Sequence, residues 1–262
     1  MKTYHDCIPC FVKQTISVLE MINCNDNDYE KILRTVLQHM SRIDFHLSPP
    51  EMARTIHRII RETSGNADPF SDEKKRDQNL ALQVLPHGNS IDHGVYHDLS
   101  ELQVLDALEQ GLHVPLIGDT DQFVSAIDQA ESILYLADNA GEIVLDKLLL
   151  HQLPLEKTTF VVRGGPILND ALMADAEHAG ITELVPVIDN GDDAPGTLLK
   201  YCSKEFQEKF MHADLIIAKG QGNYETLSDV EGNIFFLLKA KCSVVAKNIG
   251  CQIGSAILYH RD

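Results

Sequence analysis

An acid and an amide follow directly after an apolar run in the middle of the chain. The run spans residues 132–137, and it is followed by Asp138, Asn139 and, three residues later, Glu142. A short apolar run that ends in a polar turn predicts a buried strand, and the apolar spacing of residues 143–150 predicts a helix behind it. Ligands of open α/β sheets bind at the carboxyl ends of the strands. A carboxylate beside an amide carbonyl offers two oxygen donors there for a hard cation such as Mg²⁺.

Three further polar turns follow predicted strands later in the chain. One begins at Arg163 and runs to Asp170, one begins at Asp189, and one begins at Lys219. Asp, Asn and Gly are common in any turn, so turn chemistry explains each of them alone. In a parallel sheet, however, all four turns would emerge at the same edge, and we expect them to form one site.

The acids and the amide at this edge predict a metal site. Asp138, the side-chain oxygen of Asn139 and Asp170 are expected to hold one divalent cation, with waters in the remaining positions. Glu142, on the first turn of the following helix, either orients a water and tunes the metal or places favourable charge at a helix N-terminus.

The turn at Lys219 predicts a phosphate site beside the metal. Lys219 is expected to meet a phosphate oxygen as a point charge. Backbone amides of the Gly220-Gln221-Gly222 turn, opening onto a helix start near Asn223, are expected to cradle the same phosphate. A cation, a lysine and backbone amides together are the equipment of phosphoryl-group hydrolysis, in which charge neutralisation and positioning dominate. The predicted catalytic residues are therefore Asp138, Lys219 and Glu142.

The elements that position these residues fall into two predicted parts. Residues 1–85 have the apolar spacing of helices, whereas residues 86–262 alternate strands with helices, which indicates βαβ units and a mostly parallel sheet. We therefore expect an α/β protein with an N-terminal all-helical subdomain. A helix is predicted over residues 169–179, and the run 114–117 precedes another predicted helix at about 119–129. Strands are predicted at 132–137, 159–162, 184–188, 214–218, 234–238 and 243–246.

The bulk composition narrows the classes of function. The 262 residues carry a formal net charge of −17 and are 44% apolar. Such a charge argues against binding to nucleic acid or to anionic membrane surfaces. No apolar run is long enough for a membrane span, and the first residues do not form a secretory signal, so we expect a cytoplasmic protein.

The two N-terminal cysteines allow three interpretations. Cys7 and Cys10 form a C-x-x-C pair. In the first interpretation they are half of a zinc site that needs two more ligands, for which Cys242 and His5 are the candidates. In the second they are a redox pair, and in the third they are small side chains buried in an apolar core. The spacing alone favours burial or an incomplete metal site over catalysis.

The motifs together resemble one family, the damage-control metal-dependent phosphatases, long known as domain of unknown function 89. The resemblance covers nearly the whole chain, and its prokaryotic branch has the N-terminal C-x-x-C. The blocks that carry the resemblance are Cys7-Ile8-Pro9-Cys10, Asp68-Pro69-Phe70, Gly88-Asn89-Ser90-Ile91-Asp92, Asp138-Asn139-Ala140-Gly141-Glu142, Arg163-Gly164-Gly165-Pro166-Ile167-Leu168-Asn169-Asp170 and Lys219-Gly220-Gln221-Gly222-Asn223-Tyr224-Glu225.

The resemblance implies a Rossmann-like α/β domain behind a helical part. It also implies a divalent cation (Mg²⁺, Mn²⁺, Co²⁺ or Ni²⁺) on the positions that match Asp138, Asn139 and Asp170, and a phosphate-binding role for Lys219. The implied substrates are phosphate monoesters of small metabolites, often sugar phosphates.

Three further residues join the predicted substrate-binding set through these blocks. Arg163 opens the second long block. Asn89 and Asp92 alone would be explained by an Asx turn, and the resemblance favours for them a contact with the substrate or with the residues that hold the metal.

Two other functions fit a Rossmann-like sheet. One is a methyltransferase that uses S-adenosylmethionine, although fold analogy alone is a weak argument and no glycine-rich ribose-binding turn follows the first strand. The other is a noncatalytic module that binds a phosphorylated ligand. The sequence does not indicate an oligomeric state.

Overall fold

A seven-stranded sheet follows four N-terminal helices in the computed structural model, which describes residues 1–84 and 114–261. The helices of the described residues are α1 Cys7–Met21, α2 Asp26–Met40, α3 Pro49–Ser64, α4 Ser71–Val84, α5 Thr120–Gln129, α6 Glu142–Leu150, α7 Met173–His178, α8 Lys204–His212, α9 Gly220–Leu227 and α10 Ser243–Ile249. The strands are β1 Leu116–Ile117, β2 Ile133–Leu136, β3 Thr158–Val162, β4 Val187–Asp189, β5 Leu215–Lys219, β6 Ile234–Lys239 and β7 Ala256–His260.

The sheet is mostly parallel, as the sequence predicts. Its strand order is β1-β7-β6-β5-β2-β3-β4, and β2 to β6 run in the same direction. β7 is antiparallel to β6, and β1 pairs with β7 in parallel. The Rossmann-like α/β class with N-terminal helices is thereby confirmed.

The strand register places three of the predicted site residues at one level of the sheet. Leu136 of β2 pairs with Val161 of β3 on one side and with Ala218 of β5 on the other. Two residues after each of these positions come Asp138, Arg163 and Gly220. Because the three strands are parallel, all three residues leave the sheet at its carboxyl edge.

The two faces of the sheet bury separate apolar clusters. Along β2, Ile133 and Tyr135 point to the face covered by α5, α6 and α7, and Leu134 and Leu136 point to the face covered by α8, α9 and α10. Coverage on both faces explains why the parallel strands are continuous apolar runs without polar alternation. It also leaves the strand ends as the accessible part of the sheet.

The N-terminal helices form a third cluster and pack onto the α/β part. α1, α2 and α3 bury their apolar faces against one another and against Phe70. Asn25 caps the N-terminus of α2, because the side chain of Asn25 accepts a hydrogen bond from the backbone of Asp28. α3 packs on α9, and α4 packs on α6 and α7. The predicted boundary between residues 85 and 86 lies outside the described residues and stays a prediction.

Three predicted elements differ from the structure, and one further strand was missed. Residues 243–246 are the start of helix α10 and not a strand, because a short apolar run has no periodicity to distinguish the two. Strand β7 was not predicted. β4 covers only Val187–Asp189, and the helix expected from residue 169 begins at Met173 because residues 169–171 pair with the turn after β2. Within the described ranges, no helix combines the length and apolar character needed to cross a membrane.

Candidate functional site

Two chain segments lie side by side at the carboxyl edge and bring the predicted metal-binding residues together. The backbone of Ala171 donates to the carbonyl of Asp138 at 2.8 Å, and that of Ala140 donates to the carbonyl of Asn169 at 2.8 Å. Between these bonds, Asn139 and Asp170 form an isolated antiparallel bridge. The pairing places Asp138, Asn139 and Asp170 next to one another although 31 residues separate Asn139 from Asp170 in sequence.

One guanidinium lies against both candidate carboxylates. Arg163 Nε donates to Asp170 Oδ2 at 2.7 Å, and Arg163 Nη2 lies 3.9 Å from Asp138 Oδ1. Nη1 donates to the Asn223 side-chain oxygen at 3.2 Å. All four residues are buried, and Nη2 has no hydrogen-bond partner among the described residues. Arg163 therefore sits inside the acidic cluster and not on a solvent-facing wall.

The side-chain amide of Asn139 has a fixed orientation. Its Nδ2 donates to Asp138 Oδ2 at 3.0 Å and to Glu142 Oε2 at 3.3 Å. Only the nitrogen of an amide can donate, so two carboxylate neighbours hold it toward themselves. The oxygen Oδ1, which is the atom that can bind a cation, is thereby directed away from both carboxylates.

Lys219 is held between two acids of helix α6. Its ammonium lies 2.6 Å from Glu142 Oε1 and also forms an ion pair with Asp146. Burial alone would lower the pKa of Lys219, but the charges of Asp146 and Glu142 raise this pKa well above its usual range. The two carboxylates therefore favour the protonated form of Lys219.

Asp146 is a member of this network that the sequence analysis missed. It is buried and lies four residues after Glu142, which puts both carboxylates on one face of α6. The signal was present in the sequence, since an acid at this spacing on an otherwise apolar helix needs a buried partner.

The electrostatics of this connected network fit a divalent cation. Burial raises the pKa of Asp170, although the charge of Arg163 opposes the rise. The contacts just described join four carboxylates (Asp138, Glu142, Asp146, Asp170) to two cations (Arg163, Lys219), which leaves a formal charge of −2. Buried negative charge in excess favours a positive ligand.

The donor set is one of oxygens. Among residues 1–84 and 114–261, no three His, Cys, Asp or Glu side chains come together as a metal-holding group. The predicted set consists of two carboxylates and one amide, a combination that suits a hard cation which keeps several waters. The residues present therefore fit Mg²⁺ or Mn²⁺ better than a soft metal.

The glycines of the turns allow very close packing. A side chain on Gly220, whose φ is +79°, would collide with the carboxylate of Asp138. Gly222 faces the carbonyl of Pro195, and Gly164 faces the backbone of Gly191. Residues 190–197, here named the bridging loop, thus pack on two glycine turns at once.

Two of the predicted substrate-binding side chains are used inside the protein. Asn223 donates to the Lys219 carbonyl at 2.8 Å and is fully buried. Gln221 donates to Glu225 Oε1 at 3.0 Å and accepts from the Lys241 backbone at 3.1 Å. Helix α9 begins at Gly220 and not near Asn223. Direct contact of these side chains with a substrate stays a prediction.

The remaining predicted residues lie in different surroundings. Asn89 and Asp92 lie outside the described residues. Cys7 is buried in the apolar cluster of the N-terminal helices, whereas Cys10 is exposed. Cys242 Sγ lies 3.6 Å from the side-chain nitrogen of Gln221. Burial is the interpretation that describes Cys7 in this structure.

Fold and site together define a Rossmann-like α/β protein with a buried acid–amide centre at the carboxyl edge of its sheet. The family model described as the damage-control phosphatase ARMT1-like domain matches residues 3–87 and 81–257. The chain belongs to this family.

Relatives and a solved structure agree with this assignment. The chain is similar to damage-control phosphatase PH1575 of Pyrococcus horikoshii, with 32% identity over 98% of this chain and 97% of that protein. It is also similar to a damage-control phosphatase of Archaeoglobus fulgidus, with 36% identity over 79% of this chain and 80% of that protein. The crystal structure of the DUF89 family protein PH1575 superposes with a TM-score of 0.91 at 28% identity and covers 100% of both chains.

Proposed function

We propose that this phosphatase uses a divalent cation, held by Asp138, Asn139 and Asp170, to hydrolyse phosphate monoesters of small metabolites in the cytoplasm. Sugar phosphates are the substrate class we expect. Membership of the damage-control phosphatase family supports the phosphatase reaction. The observation that carries the metal assignment is the pairing of residues 138–140 with 169–171, which brings two buried carboxylates and the side-chain amide of Asn139 together.

The roles of the protein groups follow from their positions. A bound divalent cation would supply charge neutralisation and polarisation for phosphoryl transfer. Asp138 and Asp170 would hold it as oxygen donors, and Arg163, which lies against both, offsets the repulsion between the two carboxylates. The backbone N–H groups at the start of α9 add partial positive charge beside Asp138, which suits a phosphate oxygen. The attacking nucleophile, water or Asp138 itself, is left open.

The test is release of inorganic phosphate from a panel of sugar phosphates with Mn²⁺ or Mg²⁺. Asp138→Asn and Asp170→Asn should each abolish the metal-stimulated release, since both remove a charged oxygen donor. Asp128→Asn is the matched control, because Asp128 is exposed on α5 near the opposite edge of the sheet. Near-full activity in either site variant, with the fold intact by circular dichroism, would refute the site.

A chelator separates this proposal from the alternatives. Phosphate release should vanish with EDTA and return when Mn²⁺ is added in excess. A metal-free methyltransferase would keep its activity in EDTA, and a noncatalytic module would bind sugar phosphates without turnover. Family membership favours the phosphatase over both.

A further inference from the structure

A line of four side chains connects helix α6 to the proposed cation site. Asp146 holds the ammonium of Lys219, Lys219 lies 2.6 Å from Glu142 Oε1, and Glu142 Oε2 accepts from the amide of Asn139 at 3.3 Å. We infer that Asp146 is a positioning residue, which through Lys219 and Glu142 fixes the amide oxygen of Asn139 toward the cation. The inference rests on the proposed function only in that the cation is what Asn139 binds.

The ammonium needs both acids to stay in place. A lysine side chain has several rotatable bonds, and one carboxylate alone fixes it poorly. Asp146 lies one helical turn after Glu142, so the two acids contact Lys219 from successive turns of α6. Below them the ring of Tyr135 lies 5.8 Å from the ammonium and stacks on Phe160. The face of the Tyr135 ring thus adds a cation–π contact to the two ion pairs and helps to hold the ammonium in place.

The fixed ammonium in turn fixes Glu142. One oxygen of Glu142 faces Lys219 and the other faces Asn139, so the carboxylate cannot rotate without losing one of these bonds. A flip of the Asn139 amide would put its oxygen against the carboxylates of Glu142 and Asp138. This repulsion is what keeps Oδ1 on the cation side.

The arrangement gives Lys219 a role in cation binding, and its predicted contact with a phosphate stays a prediction. The ammonium pairs with two buried carboxylates, and each would be a buried charge without its partner if the ammonium left. Acting through Glu142, Lys219 contributes to cation affinity without moving.

The test is the affinity of the protein for Mn²⁺, measured by electron paramagnetic resonance without substrate. Asp146→Asn keeps the shape of the side chain and removes its charge. Outer partners of metal ligands typically contribute tenfold or more to affinity, so the dissociation constant should rise about tenfold. In phosphatase assays the half-activating Mn²⁺ concentration should rise likewise, whereas kcat at saturating Mn²⁺ should stay within about threefold, because the ligands themselves are intact. Asp128→Asn should match the unchanged protein in both measurements.

The outcomes separate the inference from the proposed function. If Asp138→Asn abolishes Mn²⁺ binding and Asp146→Asn leaves it unchanged, the metal site stands and the positioning role is wrong. A loss of kcat at saturating Mn²⁺ with unchanged affinity also overturns the positioning role. If the unchanged protein binds no Mn²⁺, the metal site and the inference both fail. Should Asp146→Asn not fold, Glu142→Gln decides, since its single amide oxygen can accept from Asn139 or from Lys219 but not from both, which should weaken Mn²⁺ binding at least tenfold.

Discussion

At the scale of single residues, the site depends on close contact between a backbone and a carboxylate. Asp138 lies directly against Gly220, the first residue of α9, which is also held at a positive φ of +79°. Any side chain at this position would displace the carboxylate and strain the backbone. The glycine is therefore required twice, once by conformation and once by space.

Gly220→Ala should abolish or greatly weaken Mn²⁺ binding, because the added Cβ would push the Asp138 carboxylate out of place. Gly250→Ala separates this effect from backbone strain. Gly250 has a φ of +86° but nothing within 4 Å of an added Cβ. Its variant should lose about 1–2 kcal/mol of unfolding free energy and bind Mn²⁺ normally. Equal Mn²⁺ affinities in the two variants would show that the Asp138 position does not matter.

The sequence predicted the candidate site residues in the turns and Glu142 at the start of α6, and it missed Asp146 one turn further along the same helix. Asp138, Asn139 and Asp170 follow predicted strands, and parallel pairing alone was enough to bring the turns together. Asp146 lies within an apolar helix, where a single acid has no motif around it. The sequence predicted that Lys219 belongs to the site, but its partners depend on how α6 lies against β5, which spacing along the chain does not encode.

At the scale of elements, helix α3 fixes the bridging loop, residues 190–197. Arg54, Arg58 and Arg61 all form ion pairs with Asp193, and Arg61 also donates to the Pro166 carbonyl in the turn after β3. Three arginines at helical spacing thus join the helical part to two of the turns that build the site.

Asp193→Asn should destabilise the protein at neutral pH by about 2 kcal/mol, between the values for exposed and buried pairs. Burial raises the pKa of Asp193. The hydrogen bond to Arg58 and the charges of Arg58, Arg61 and Arg54 lower this pKa by more than burial raises it, so the net pKa lies below its usual value. The stabilisation is therefore complete above the ordinary carboxyl pKa and is lost as the pH falls through the lowered value. Thermal unfolding across pH 3–7 measures it.

The difference between Asp193→Asn and the unchanged protein should shrink toward the acidic end of this range. Asp229→Asn is the control, because Asp229 pairs with the N-terminal amine while its side chain is 81% exposed, and its effect should be close to zero. A difference for Asp193→Asn that stays constant with pH would mean that its charge does not hold the loop.

Elements were predicted best where a strand is central. β2, β3, β5 and β6 are buried on both faces and therefore are continuous apolar runs. Strand β7, which lies between the edge strand β1 and β6, was not predicted, since it is antiparallel to β6 and half-buried at its ends. Helix α10 was mistaken for a strand because Val244, Val245 and Ala246 are apolar in succession, although Gly250 marked a helix end.

At the scale of the whole molecule, the helical part packs on the α/β part at the site itself. A Cβ on Gly141, just before α6, would touch Asp77 of α4, and Lys74 of α4 pairs with Asp68 and Asp175. Residues of the first 84 therefore lie close to the metal-binding turns. This contact is long-range in sequence, so the sequence predicted both parts but not how they meet.

Glu225 makes the stability of the whole molecule depend on pH near neutrality. Glu225 is buried on α9, close to the amino group of Met1. Burial raises the pKa of Glu225 to about 7, although its hydrogen bond with Gln221 acts in the opposite direction. The folded protein thus binds a proton that the unfolded chain releases near its ordinary value of 4.5. Stability should therefore fall as the pH rises from about 4.5 to about 7, by roughly 3 kcal/mol, and level off above that.

Glu225→Gln mimics the protonated side chain and should remove this fall. At pH 5 the variant and the unchanged protein should unfold at similar urea concentrations, because the protonated side chain of folded Glu225 then has the same charge as glutamine and a similar shape. At pH 8 the variant should be the more stable one. Glu231→Gln is the control, because Glu231 is exposed, and it should leave the pH profile unchanged. A variant that differs from the unchanged protein equally at both pH values would mean that Glu225 stays ionised in the fold, with its charge compensated by neighbours such as Lys241 and the N-terminal amine.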